Sequence, residues 1–317
     1  MIVCLGTTPA LQTTMTFPHV VVNETNRAAE VREYASGKSI NVARVLHTLG
    51  AEALACGFLG GDSGKFIRQD LDAAGIKHDF VTVKPRTRTC ITVIDQAAAT
   101  ATELIEEPQS VEQKHWHQLL EELDATLWRA EALVLSGSLP PAAAADFYGE
   151  CTRLAAKAEV PVILDARGAA LLHALPHKPF IVKLNRAELA ATYAISLETN
   201  EQLRSAMLRL TKDGATWAVV TSGGADTFVT DGTTFWTITP PQVKVISAVG
   251  SGDAFAAGLA AALLQGQGGQ TMPQACVLAT ACAAANAMTS GAGKIRLQDV
   301  YHLSPAIHIV PAPASES

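Results

Sequence analysis

Aromatic side chains are scarce in this chain, 5% of 317 residues. A core of stacked rings is therefore excluded, and alanine, leucine and valine must fill the interior. Charged residues are also few, at 17%, which excludes the self-repelling compositions that stay disordered. An excess of positive charge is missing as well. The net charge of −6 and a pI near 5.8 argue against a nucleic-acid partner, which normally meets a basic face, although local basic clusters for a small anion are compatible with that balance. The cysteines at 4, 56, 90, 151, 276 and 282 show no Cys-x-x-Cys spacing and no grouping with histidine. Reduced, buried thiols of a cytoplasmic protein are the expectation. The first apolar run, Ile2 to Gly6, has no basic leader and is far too short to cross a bilayer, so no membrane association is expected.

What is present is an apolar content of 48% in 33.3 kDa, enough for a large α/β core. Short apolar strands alternate with helical patterns over most of the chain. Strands are read at Ile2–Gly6, Leu54–Phe58, Ala132–Ser136, Val160–Asp165, Phe180–Leu184 and Trp217–Ser222. Helices are read at Ile40–Leu49, Lys65–Ala74, Glu112–Trp128, Ala142–Ala158, Arg186–Tyr193, Glu201–Thr211 and Ala254–Leu264. This alternation predicts an α/β fold with a mostly parallel sheet covered on both faces. Two stretches break it, Met15–Tyr34 and Arg88–Glu107, the second reading as a hairpin around Asp95–Ala99. Both are assigned to a small attached β-sheet, and Pro311 to Ser317 to a disordered tail.

The richest stretch is Val249-Gly250-Ser251-Gly252-Asp253 at the head of an alanine-rich helix. Glycines there let backbone N–H groups converge, and the helix dipole adds about half a positive charge. That makes an anion pocket. A carboxylate beside it is misplaced for binding phosphate but well placed to take a proton from a hydroxyl, so phosphoryl transfer with Asp253 as base is the chemistry it fits.

Other motifs carry plainer readings beside the functional ones. Ser36-Gly37-Lys38-Ser39 resembles the end of a P-loop, but the glycine that Walker A requires is Arg32. Gly61-Asp62-Ser63-Gly64 matches a serine-protease loop in letters only; a helix start capped by Asp62 or Ser63 is the better account. Asn185-x-x-Glu188 suits either a capping box or a pair of groups holding magnesium through water. Ser136–Pro141 and Thr221–Gly224 follow apolar strands, where α/β proteins bind ligands. No Gly-x-Gly-x-x-Gly follows the first strand, which disfavours a dinucleotide-binding dehydrogenase.

Together these motifs resemble the PfkB (ribokinase-like) carbohydrate kinase family, in its phosphofructokinase and tagatose-6-phosphate kinase branch. The resemblance runs from Thr8-Pro9-Ala10-Leu11 to Gly291-Ala292-Gly293 and is sharpest at Gly37–Arg44 and Val249–Asp253. It implies one kinase domain over 1–310, a doubly wound sheet, and a β-lid from segments about 12–35 and 86–108 that pairs two copies. It also implies ATP and Mg²⁺ as cofactors and a sugar phosphate as the acceptor substrate. By carry-over Asp253 is the base and Gly250, Ser251 and Gly252 form the anion hole. Lys183, Asn185, Thr221 and Gly223 meet ATP, and Asn185 and Glu188 hold the metal through water. Gln12, Gly37, Lys38 and Asn41 hold the sugar, while Arg27, Arg88 and Ser138 bind the phosphate already on the substrate.

The chain departs from the family pattern at Gln12 (usually Asp), at Ser36 and Ser39 (usually Gly), at Leu184 (usually Pro) and at Asp226, which brings a negative charge near the expected nucleotide phosphates. The leading reading is a 1-phosphofructokinase-like kinase. A kinase of the same fold for another sugar or a nucleoside, and a non-catalytic sugar-phosphate or nucleotide sensor, are the alternatives those departures leave.

Overall fold

A computed structural model describes residues 1–265 and 271–313. The chain opens with β1 (Ile2–Leu5), then leaves the main body for two lid strands, β2 (Ala10–Phe17) and β3 (Glu30–Ser36). It returns through α1 (Lys38–Thr48), β4 (Ala53–Gly60), α2 (Gly61–Ala73) and β5 (Lys77–Val83). A second excursion forms β6 (Arg88–Asp95) and β7 (Thr100–Ile105). Regular alternation follows: α3 (Gln113–Leu127), β8 (Ala132–Ser136), α4 (Phe147–Lys157), β9 (Val162–Asp165) and α5 (Gly168–Ala174). Next come β10 (Ile181–Asn185), α6 (Arg186–Tyr193), α7 (Asn200–Asp213), β11 (Trp217–Ser222), β12 (Ala225–Thr230) and β13 (Thr234–Thr239). The chain closes with α8 (Ser251–Gln265), α9 (Met272–Ala287), α10 (Leu297–Leu303) and β14 (His308–Pro313).

Ten strands make one sheet in the order β14-β13-β12-β11-β10-β9-β8-β1-β4-β5. The run from β5 to β11 is parallel, and β12, β13 and β14 add an antiparallel edge. Period-two alternation sends β1 side chains to two cores. Ile2 and Cys4 join the cluster under α1, α8 and α9, while Val3 and Leu5 join the cluster under α3, α4 and α7. The alanines of α8 and α9 let those two helices lie close together, and a Cβ on Gly258 would stand 2.8 Å from the Cα of Ala279. All six cysteines are buried and unpaired. The expected mostly parallel sheet covered on both faces, with a small separate sheet, is what the chain forms.

The lid is that separate four-stranded sheet, ordered β3-β2-β6-β7. β2 runs antiparallel to β3 and parallel to β6, and β6 pairs antiparallel with β7 as the hairpin reading required.

Three local expectations are corrected. Helix α4 begins at Phe147 rather than Ala142, because Pro140 and Pro141 lead into Ala142 at φ 62°, a left-handed turn no helix passes through. Helix α2 is preceded by Gly60 with no side-chain cap; the Ser63 hydroxyl instead donates to the Thr87 carbonyl at 2.7 Å. Pro311, Ala312 and Pro313 are the end of β14, paired in register with Trp236, Phe235 and Thr234, so the expected tail is ordered there; 314–317 lie outside the described residues. Among the described residues, no helix is long and apolar enough to cross a membrane.

Candidate active site

The carboxyl ends of β9, β10 and β11, the starts of α1 and α8, and the inner face of the lid enclose a cleft of about 590 Å³. This is where parallel α/β sheets concentrate ligand-binding groups, since their loops and helix N-termini converge there.

Asp253 lies in the first turn of α8 and is 7% exposed. Its Oδ2 accepts a 2.8 Å hydrogen bond from Asn41 Nδ2. The amide of Asn41 is itself oriented by Ser36, whose hydroxyl donates to Asn41 Oδ1 at 3.1 Å. Ser36 is one of the departures from the family pattern, and here it fixes which way the Asn41 amide faces. Gly250 sits at φ 83°, and a Cβ on it would meet the Gly293 nitrogen at 2.7 Å, so only glycine turns the chain there. The turn leaves the leading amides of α8 at the cleft wall without intrahelical acceptors, as any helix start does. A Cβ on Gly252 would stand 2.9 Å from Lys183 Nζ. The Lys183 ammonium thus stands beside the head of α8 at the cleft wall.

A buried carboxylate that the sequence reading passed over organises the cations. Asp165, at the end of β9, is 1% exposed. Its two oxygens accept from Lys38 Nζ at 3.0 Å and Lys183 Nζ at 2.8 Å. Burial works against its charge, but the two ammonium groups prevail and hold its pKa down to about 2. Burial also works against the Lys38 charge; the carboxylates of Asp165, Asp253 and Glu188 outweigh it and keep that ammonium above the ordinary lysine range.

Asp253 goes the other way. Burial raises it and the nearby Asp165 adds to the rise, while Lys38, the Asn41 hydrogen bond and Lys183 pull it down; the result is about 6. A base poised there is ionised at neutral pH and still basic enough to accept a proton. Activity that depends on it is expected to fall below about pH 6, approaching about tenfold per pH unit in kcat/KM. A profile that stays flat from pH 7 to pH 5 would contradict the assignment.

Asn185 and Glu188 form a complete capping box on α6: Asn185 Oδ1 accepts from the Glu188 amide at 2.8 Å, and Glu188 Oε2 accepts from the Asn185 amide at 2.9 Å. Both residues also line the cleft. Thr221, Gly223 and Gly224 line it at the turn from β11 to β12. Pro241, Val243, Val245, Ala283, Ala284 and Ala287 give the cleft an apolar stretch of lining. Asp226 does not itself line the cleft, although its neighbours Gly224 and Thr227 do.

At the lid end, Gln12, Arg88, Cys90, Glu103 and Ile105 reach the cleft along with Gly37, Lys38 and Asn41. Gln12 is buried and donates to Thr92 Oγ1 at 2.9 Å. Arg88 Nη2 donates to the Thr8 carbonyl at 2.9 Å, and its buried Nε has no partner. Arg27 and Ser138 are not brought to the cleft. Arg27 is exposed between β2 and β3, and Ser138 is exposed with its carbonyl accepting from the Thr7 and Thr8 hydroxyls. Glu103 was not singled out by the sequence; as one acid in an exposed lid strand it carried no signal.

The model of the pfkB family carbohydrate kinases matches residues 1–298. Solved structures agree over the full length. A provisionally assigned phosphofructokinase from Staphylococcus aureus is 26% identical with a TM-score of 0.81, covering 99% of both chains. A possible 1-phosphofructokinase from Thermotoga maritima is 23% identical with a TM-score of 0.89, covering 98% of this chain and 99% of its own. Phosphofructokinase-2 from Escherichia coli, solved with potassium, is 24% identical with a TM-score of 0.86 over 96% of this chain and 97% of its own. A family match of that length, on a chain whose cleft sets a buried carboxylate at a glycine-flanked helix start, has one conclusion: this chain belongs to the pfkB family of carbohydrate kinases.

Proposed function

We propose that this kinase transfers the ATP γ-phosphoryl group to a hydroxyl of a hexose phosphate, in the manner of a 1-phosphofructokinase. The observation that carries the reading is Asp253, buried, held by Asn41 and lining the same cleft as Gly250, Ser251 and Gly252 at the head of α8. Asp253 accepts the proton of the acceptor hydroxyl as the oxygen attacks. The Gly250–Gly252 turn and the Lys183 ammonium stabilise the negative charge on the phosphoryl group in transit. Lys38 and Asn41 orient the acceptor, and the lid excludes water once the sugar is seated.

The residues present fit a magnesium ion. Among the described residues, no three His, Cys, Asp or Glu side chains are placed to hold a metal alone. Mg²⁺ keeps most of its waters and needs only one or two carboxylates besides phosphate oxygens. Glu188 has one oxygen outside its capping bond, and with Asn185 it would hold the hydrated ion. When bound, the ion supplies neutralisation of charge on the nucleotide phosphates.

The substrate's own phosphate is assigned to Arg88, whose planar fork suits phosphate oxygens bidentately. Arg88→Ala is expected to raise the KM for the sugar phosphate by about tenfold or more while leaving the KM for ATP within about twofold. Equal effects on both would remove the assignment.

The lid is also inferred to pair two copies of the chain. Val31 on β3 and Leu104 on β7 are more than half exposed, on the two edge strands of the small sheet. Apolar side chains left there favour burial against a second copy. Sedimentation is expected to show a dimer that Val31→Asp with Leu104→Asp dissociates; an unchanged sedimentation coefficient would place the contact elsewhere.

A further inference from the structure

We propose that a second cavity, bounded by Arg32, Arg44, Lys294 and Arg296, binds a phosphate-class anion between lid strand β3 and the loop that follows α9. None of its lining residues belongs to the catalytic cleft. Four of the nine are cationic and none is acidic; the rest include the hydroxyls of Thr48, Thr289 and Ser290. Positive charges gathered around one concavity repel one another, and the carboxylates that answer three of them, Glu30, Asp70 and Asp299, all lie outside its lining.

Each cation is available to a different degree. Among the described residues, no carboxylate or carbonyl meets the Lys294 ammonium, which lies 4.6 Å from the centre of the Tyr34 ring. Burial, and then the charges of Arg44 and Arg32, push that ammonium below the ordinary lysine range. Arg44 uses Nη2 on the Ala35 carbonyl at 2.7 Å and on Asp70 at 3.3 Å, whereas its buried Nη1 has no partner. A buried donor left in that state is costly until an acceptor reaches it. Arg32 pairs with Glu30 and Arg296 with Asp299, each at 2.6 Å and with guanidinium groups more than half exposed. Such surface pairs are worth little, so a doubly charged phosphate competes for both forks.

The position gives occupancy a structural consequence. The Tyr34 hydroxyl accepts a 3.1 Å bond from the Ala292 amide. Ala292 lines the catalytic cleft, and its Cα would be 2.8 Å from a Cβ on Gly250. An anion held by Arg32 from the lid and by Lys294 and Arg296 from the loop therefore ties the lid strand to the backing of the anion hole. The proposal is independent of which sugar the kinase uses.

The test reads binding, not turnover. Inorganic pyrophosphate and glycerol phosphate are titrated separately into the wild type and into Lys294→Gln with Arg296→Gln. At least one ligand is expected to bind one equivalent more in the wild type than in the variant, or about tenfold tighter at that site. The ligand that does so identifies an inorganic or an organic source. Acetylation of Lys294, followed by mass spectrometry in the wild type, keeps the test decisive should the variant fail to fold. Protection of Lys294 by either ligand supports the site. Equal stoichiometry and equal affinity in both proteins for both ligands, or no protection of Lys294 by either ligand, overturns it.

Discussion

Asp253→Asn is expected to lower kcat by about 10²–10⁴-fold and, in the same protein, to raise the melting temperature above pH 6. The two effects share one cause. Asp253 is buried, and burial lifts its pKa from 3.8 to about 6. A folded-state pKa above the unfolded value means that stability is greatest below about pH 4, falls as the pH rises to about 6, and stays lower from there on. The lifted pKa corresponds to a cost of up to about 3 kcal/mol at neutral pH. Asparagine keeps an acceptor for the 2.8 Å bond from Asn41 and carries no charge to desolvate. It cannot accept the hydroxyl proton. Stability sacrificed for a working base is the usual trade at an active site. A variant that loses turnover and also melts earlier at pH 8 would show that Asp253 is structural.

Asp165→Asn is expected to act in the opposite direction on stability, costing about 3–5 kcal/mol, because it leaves the buried Lys183 ammonium without its paired carboxylate and takes from Lys38 its direct one. The two ammonium groups bind that carboxylate at 2.8 and 3.0 Å, and the partly exposed Lys38 keeps only the more distant charges of Asp253 and Glu188. The substitution also removes a negative charge that raises Asp253. Any residual activity should therefore show its acid limb at lower pH than the wild type, as a less opposed carboxylate ionises sooner. Denaturant unfolding measures the first effect and a kcat/KM profile the second. A stability within about 0.5 kcal/mol of wild type, the range of ordinary surface changes, would mean that solvent already neutralises the two lysines.

These two residues also mark how far the sequence alone could be read. Asp253 was legible because its neighbours are local: glycines, a helix start and a carboxylate within five positions. Asp165 was not, since an acid ending a short apolar strand has no meaning until its partners are known. Those partners lie 127 and 18 positions away. The same rule governs the fold. Ala132–Ser136, Arg186–Tyr193 and Trp217–Ser222 form as read, because each is bounded by its own turn or cap. The antiparallel edge of β12, β13 and β14 escaped the reading. Pro311 and Pro313 made the last strand look like a tail, but an edge strand tolerates proline, which lacks only a donor. Asn185 and Glu188 were read as a cap or as metal-holding groups; the cap is formed, and the cleft beside it leaves the second role open to both.

The departures at Ser36 and Gln12 look less disruptive in place than in the sequence. Ser36 sets the Asn41 amide that holds Asp253, and Gln12 is anchored to Thr92 while it lines the lid end of the cleft. Chemistry is therefore expected to be intact, with any change of preference confined to the acceptor.

The most direct test is a coupled ADP-release assay with Mg-ATP against fructose 1-phosphate, fructose 6-phosphate, tagatose 6-phosphate, free fructose, ribose and adenosine. Turnover on a phosphorylated hexose that Asp253→Asn abolishes is the expected result. Turnover confined to free fructose, ribose or adenosine, silence across the set, or activity that survives Asp253→Asn would contradict it.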